Sequence, residues 1–318
     1  MEALSAPRHG TLDGPLPSTA PPESVAGASR GAVLFRAYIA LTKPRIISLL
    51  LWTTVMAMAV AKPRGLALDT VLLTMLGGYL AAGGAGAINH YIDRERDARM
   101  NRTKGRPIVD GTIAPLHGLI FGIVLGVGAF FQLWATINLL SAALAMLGLL
   151  GYVFMYTIWL KPRTPQNIVI GGAAGAMPPL VGWAAATGSI SAEALWTFGF
   201  VFMWTPPHFW ALSLLIADDY ARTGVPMLPV VRGERTTRRS IVAYTLALVA
   251  VTLIPVALGS FGPLYGVIAA ACGAGFLGLA INLARHPSKP AALRTYLFSL
   301  SYLAILFAAL ALDAVLAA

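Results

Sequence analysis

Residues 68–107 read LDTVLLTMLGGYLAAGGAGAINHYIDRERDARMNRTKGRP, and between Asp69 and Asp93 the segment contains no Asp, Glu, Lys or Arg. An uncharged run of this length matches the roughly 20 residues that a helix needs to cross a bilayer. It ends in the densest charge of the chain. Only 11% of the 318 residues are charged, yet ten charged side chains fall between Asp93 and Asp110. Within this run Asn89, Asp93 and Asp97 recur every four residues, so a continuing helix lines them along one face as a stripe of oxygen ligands.

The rest of the chain repeats the apolar theme. A hydrophobic fraction of 57% and a mean hydropathy of +0.73 lie well above the roughly 45–50% apolar usage of soluble domains. The expectation is an all-α, polytopic membrane protein with nine transmembrane helices around a central cavity, near 46–61, 68–92, 115–134, 137–159, 166–186, 192–216, 240–259, 263–284 and 294–316. Residues 1–33, rich in Pro, Ala, Gly and Ser without apolar periodicity, read as a disordered tail preceding a membrane domain at 34–318. No secretory signal is expected ahead of the first span. Cys272 is the single cysteine, which excludes intramolecular disulfides and cysteine-based metal sites.

The net charge of +10 could suggest nucleic acid, but the distribution points to topology instead. With nine spans and a cytoplasmic N-terminus, all but Lys62 and Arg64 of the 23 Lys and Arg residues fall inside, as the positive-inside rule requires. The partner implied by this charge is the lipid bilayer, and no nucleic acid.

Two long polar loops then share the cytoplasmic side, 93–114 and 217–239, and both open with carboxylates: Asp93 and Asp97 in one, Asp218 and Asp219 in the other. Arg102, Lys104, Arg106 and Arg222 flank them. Carboxylates attract cations and guanidinium groups attract anions; the combination suits a magnesium–diphosphate pair. Mg2+ is held by one or two carboxylates while phosphate oxygens and water complete its octahedron, and arginine binds phosphate through paired hydrogen bonds. Ordinary solvated helix-end charges are the bland alternative, made less economical by the pairing of two such loops.

These motifs resemble the UbiA superfamily of intramembrane prenyltransferases, most nearly its haem-farnesylating branch. The likeness is collinear over about residues 38–312 and rests on LTKPR at 41–45, NHYIDRERDARMNRTKGRP at 89–107, YTIWLKPRTPQNIVIGGAAGAMPPLVGW at 156–183, WTPPHFWAL at 204–212 and DDYARTGVPMLPVV at 218–231. The resemblance implies catalytic roles for Asn89, Asp93, Asp97, Asp218 and Asp219, and diphosphate contacts from Arg102, Arg106, Lys104, Lys161 and Arg222. It implies Mg2+ as cofactor, with Asn89, Asp93, Asp97 and Asp219 as its ligands, and haem B as substrate, with farnesyl diphosphate as donor and a haem A synthase or oxidase assembly proteins as partners. The second motif departs from the superfamily's Asp-x-x-x-Asp, because Arg222 and Thr223 occupy the fourth positions after Asp218 and Asp219.

If haem is the acceptor, His208 is a candidate haem contact, placed after Pro206 and Pro207, which are expected to break or kink the sixth span. Arg45 and Lys43 are candidate propionate partners. Trp204, Phe209, Trp210, Tyr156 and Trp159 are candidate cavity lining. His90 points about 100° from Asn89 and is the weaker histidine. Competing readings are prenylation of an aromatic quinone precursor, a transporter, and a non-catalytic assembly factor.

Overall fold

The computed structural model describes residues 29–318, so most of the tail read at 1–33 lies outside the described residues. Its boundary shifts: a helix already starts at Arg30. Helices α1 (Arg30–Thr42), α2 (Pro44–Ala61), α3 (Leu68–Asp97), α4 (Pro115–Thr136) and α5 (Leu139–Leu150) are followed by α6 (Asn167–Gly175), α7 (Met177–Thr187), α8 (Ala192–Leu215), α9 (Ala217–Arg222), α10 (Leu228–Ala257), α11 (Pro263–Arg285) and α12 (Lys289–Ala317). Proline at the first turn of α2, α4 and α11 costs no hydrogen bond there.

Among the described residues eight helical stretches are long and apolar enough to cross a membrane; α8, which occupies the place of the expected span at 192–216 with 24 residues, is not one of the eight. The protein is therefore an integral, multi-pass membrane protein. The large exposed apolar side chains, Phe131, Leu147, Phe154, Val267 and Leu316 among them, form a lipid-facing surface that soluble domains rarely present.

Each span packs on its neighbour in chain order, and α12 returns to α2, closing a ring that α7 and α8 pinch across its middle. Small residues set the tightest approaches. A Cβ on Gly84 would lie 2.7 Å from the carbonyl oxygen of Gly122, and one on Gly122 would lie 2.9 Å from that of Gly84, so α3 and α4 touch backbone to backbone. A Cβ on Gly182 would overlap the Thr54 carbonyl oxygen, which fixes α7 against α2.

Three details depart from the expected spans. The fifth is two helices, interrupted at Ala176 ahead of Pro178 and Pro179. The sixth is not broken: α8 runs through Pro206 and Pro207, held by neighbours α10 and α12 on either side. The fourth changes winding, because α5 continues as a π-helix over Gly151–Leu160, with the Lys161 amide donating to the Tyr156 carbonyl at 2.8 Å. Such wider turns rotate everything beyond them, and they concentrate at functional sites.

Candidate active site

The continuing helix expected at 89–97 forms, and its polar stripe is buried. Asn89 and Asp97 are 3% exposed and Asp93 is 1% exposed. Water does not solvate these groups, so protein cations do. The Asn89 amide donates to Asp93 at 2.8 Å and to Thr157 at 3.2 Å. Lys161 and Arg96 both pair with Asp93, Arg96 at 3.1 Å, and Arg106 pairs with Asp97. Lys43 donates to Asn89 Oδ1 at 2.7 Å. Arg96, Arg106 and Lys161 surround two carboxylates here and the Lys43 amine adjoins them, leaving a surplus of positive charge that an anionic ligand would complete.

Local structure puts each cation in place. The π-turns of the fourth span bring Thr157 and Lys161 onto α3. Lys43 is the only non-glycine with positive φ among the described residues (φ 58°), forced by the turn from α1 into the proline-started α2. Burial, then Arg106 and Lys161, pushes its ammonium down to about 7.

The two loops predicted to face each other do meet. Met100 of the first packs with Tyr220, Val225 and Met227 of the second. Burial pushes the Asp219 carboxyl up, but the Arg222 guanidinium that donates to it, helped by the nearby backbone of Arg102 and Asn101, outweighs burial and holds it below the usual carboxylate range. Burial pushes the Tyr220 phenol up to about 12. Asp218, by contrast, is exposed, as are the side chains of Arg102 and Lys104 at the cluster's rim.

Beneath the cluster lies an apolar cavity of about 620 Å3, within the roughly 300–1,000 Å3 of ligand sites. Lys43, Tyr152 and Tyr156 line the end nearest the carboxylates; Ile46, Leu50, Gly78 and Val181 line the walls; Trp204, His208, Phe209 and Tyr296 lie along α8 and α12. Arg45 lines it from an exposed position. Trp210 and Trp159 are corrected: Trp210 is buried in a separate cluster between α8 and α10, and Trp159 is 59% exposed on the outer surface. His90 is buried with Nδ1 unpartnered among the described residues.

Sequence reasoning passed over Arg96, Thr157, Tyr152 and Ser299. Arg96 was visible as the residue three after Asp93, an ordinary helix pair. The others depend on the π-turns or on long-range packing, for which the sequence carries no local signal.

Asparagine and carboxylate oxygens are the hard donors that Mg2+ takes. Among the described residues no three His, Cys, Asp or Glu side chains converge to enclose a metal by themselves. An ion held by these donors would have to complete its shell with phosphate oxygens and water.

Comparison with known proteins identifies the family and the fold. A model of the UbiA prenyltransferase family matches residues 50–307. A protoheme IX farnesyltransferase of Roseiflexus sp. (strain RS-1) is 53% identical over 89% of this chain and 53% of its own length. The chain thus spans about half the length of the first curated relatives it matches. A protoheme IX farnesyltransferase of Aromatoleum aromaticum is 49% identical over 87% of this chain and 91% of its own. Among solved structures, a UbiA homolog from Archaeoglobus fulgidus bound to DMAPP and Mg2+ superposes with a TM-score of 0.64 at 16% identity, covering 86% of this chain and 98% of that one.

Proposed function

The chain belongs to the UbiA prenyltransferase family, and from that premise we propose that it transfers a farnesyl group from farnesyl diphosphate to a vinyl group of haem B, giving haem O and diphosphate. The observation that carries this reading is the buried Asn89–Asp93–Asp97 stripe, enclosed by cations and joined through Asp219 to the second loop, at the head of an apolar cavity that contains a histidine. That relatives about half identical to this chain are protoheme IX farnesyltransferases supports the acceptor.

Asn89, Asp93 and Asp97 would hold Mg2+, with Asp219 close by on the facing loop. When bound, the ion would stabilise the negative charge that develops on the departing diphosphate. Arg106 and Lys161 now neutralise Asp97 and Asp93, and Lys43 donates to Asn89. In the loaded site they turn to phosphate oxygens, and Arg102, Lys104 and Arg222 add charge from the rim. Their contribution is greatest where charge appears only as the C–O bond breaks. Lys43, first read as a propionate partner, contacts Asn89 and serves the diphosphate end instead; Arg45 at the cavity's exposed edge remains for a propionate.

Loss of diphosphate leaves an allylic farnesyl cation in the cavity. The vinyl terminal carbon of haem B attacks it, forming the new C–C bond and moving the positive charge to the carbon next to the porphyrin. Water adds there and releases one proton, leaving a hydroxyethylfarnesyl side chain. Tyr152, Tyr156 and Trp204 wall the space in which the cation is held, and excluding bulk water there delays its capture until the vinyl has reacted. The charge asymmetry supports a cytoplasmic N-terminus and cytoplasmic active-site loops in a bacterial-type inner membrane. Product haem O would pass to a haem A synthase or to oxidase assembly proteins.

The test is to incubate purified protein with haem B, farnesyl diphosphate and Mg2+ and to search for farnesylated haem by mass spectrometry. A prenylated hydroxybenzoate with no haem product selects the quinone-precursor reading instead.

A further inference from the structure

Along α8 and α12 a chain of hydrogen bonds runs away from the cavity. The Ser299 hydroxyl donates to the Tyr296 carbonyl at 2.5 Å. Its only proton is thereby used, so Ser299 Oγ stands toward His208 Nδ1, 2.7 Å away, as an acceptor. The imidazole must then carry its proton on Nδ1. Nε2 keeps its lone pair and has no hydrogen-bond partner among the described residues, on a side chain that lines the cavity.

The ring is also clamped. Trp204 stacks on it with centroids 4.1 Å apart and planes 19° from parallel, and Tyr296 lies 5.0 Å away. Trp204 is itself tied by its indole N–H to the Ser299 carbonyl at 2.7 Å. Ser299 is fully buried, so one residue orients both rings. A histidine retained only for packing has no need of a fixed tautomer whose open nitrogen faces an apolar space. Metal-ligating histidines characteristically donate their other N–H to an oxygen that fixes ring and tautomer and raises basicity.

We infer that His208 Nε2 is the axial ligand to the iron of the haem acceptor, and that Ser299 is the positioning residue that fixes the ligating tautomer. This rests on the reading of haem B as substrate. It goes further by assigning the ligating atom and the residue behind it. Ligation anchors the porphyrin to α8, in the cavity whose other end meets the carboxylates.

The experiment is a titration of the full-length protein, without farnesyl diphosphate, with haem B, followed by absorption and resonance Raman spectroscopy. The wild type is expected to show a histidine-ligated Soret band and, when reduced, an Fe–His stretch. His208→Ala should lose both, and added free imidazole should restore the five-coordinate ferrous spectrum with its Fe–imidazole stretch, distinct from the bis-imidazole spectrum of haem outside a folded site. Ser299→Ala should keep the ligand but lower the Fe–His stretching frequency, because the Nδ1 hydrogen bond is gone. A His208→Ala spectrum identical to wild type overturns the ligand assignment, as does loss that imidazole does not restore. An unshifted stretch in Ser299→Ala removes the positioning role. Farnesylated haem from a wild type lacking His208 ligation sinks this inference alone. A protein that neither binds nor modifies haem B sinks the functional reading with it.

Discussion

Replacing Asp93 by Asn separates the chemistry of the stripe from its packing. Volume is nearly unchanged and the neighbouring Asn89 stays within reach, but the charge between Lys161 and Arg96 disappears. Breaking a buried ion pair costs about 3–5 kcal/mol when the surviving charge is dry. Here the Lys161 side chain is 13% exposed and that of Arg96 is 30% exposed, so partial solvation should reduce the loss to about 2–3 kcal/mol. The variant should fold and insert. Catalysis should suffer far more, since an electrostatic group acting on developing charge contributes about 10²–10³-fold in rate, and a metal ligand is lost as well. The assay pairs mass-spectrometric turnover with thermal unfolding in detergent, with and without Mg2+ and inorganic diphosphate. Turnover within tenfold of wild type, or undiminished stabilisation of the variant by Mg2+ and diphosphate, would refute the assignment of the stripe.

Gly182→Ala should destabilise by about 1–3 kcal/mol or more, because its Cβ meets the backbone of α2 rather than a movable side chain; Gly128→Ala, with nothing within 4 Å, should be neutral in the same melt. Asp219, with its folded pKa depressed, contributes stability that is present above its unfolded value of about 3.9 and lost as pH falls through the lower folded value. Melts of wild type and Asp219→Asn should therefore differ at pH 7 and converge in acid. Trp159→Ala should leave turnover unchanged, whereas Trp204→Ala should weaken haem B binding measured by titration, since only Trp204 lines the cavity.

Most of the scaffold was legible because the bilayer demands a coarse, repetitive signal: uncharged runs of fixed length and prolines at first turns. The four-residue spacing of Asn89, Asp93 and Asp97 was equally direct, since a helix continuing past the apolar run leaves only one face for them. What escaped depends on contacts between distant segments. The Pro178–Pro179 and Pro206–Pro207 pairs look alike in sequence, yet the first begins a new helix and the second sits inside one packed by α10 and α12. Lys43 was read as a propionate partner, and only the left-handed turn into α2 turns it toward Asn89. Trp210 and Trp159 carry the same chemistry as Trp204, but helix rotation sends them elsewhere.

The contact between Gly84 and Gly122 also bears on how this sequence can drift. When a bulky side chain blocks a neighbour, a second substitution can trim it, and lineages exchange volume across an interface in that way. Here each glycine is blocked by the carbonyl oxygen of the other, an atom that no substitution removes. Compensation is closed to the pair. The two positions should stay glycine together, or change only when the whole helix is displaced, and a displaced α3 would carry Asn89, Asp93 and Asp97 with it. The reach of the metal stripe over the cavity is therefore inherited through two residues that touch neither substrate.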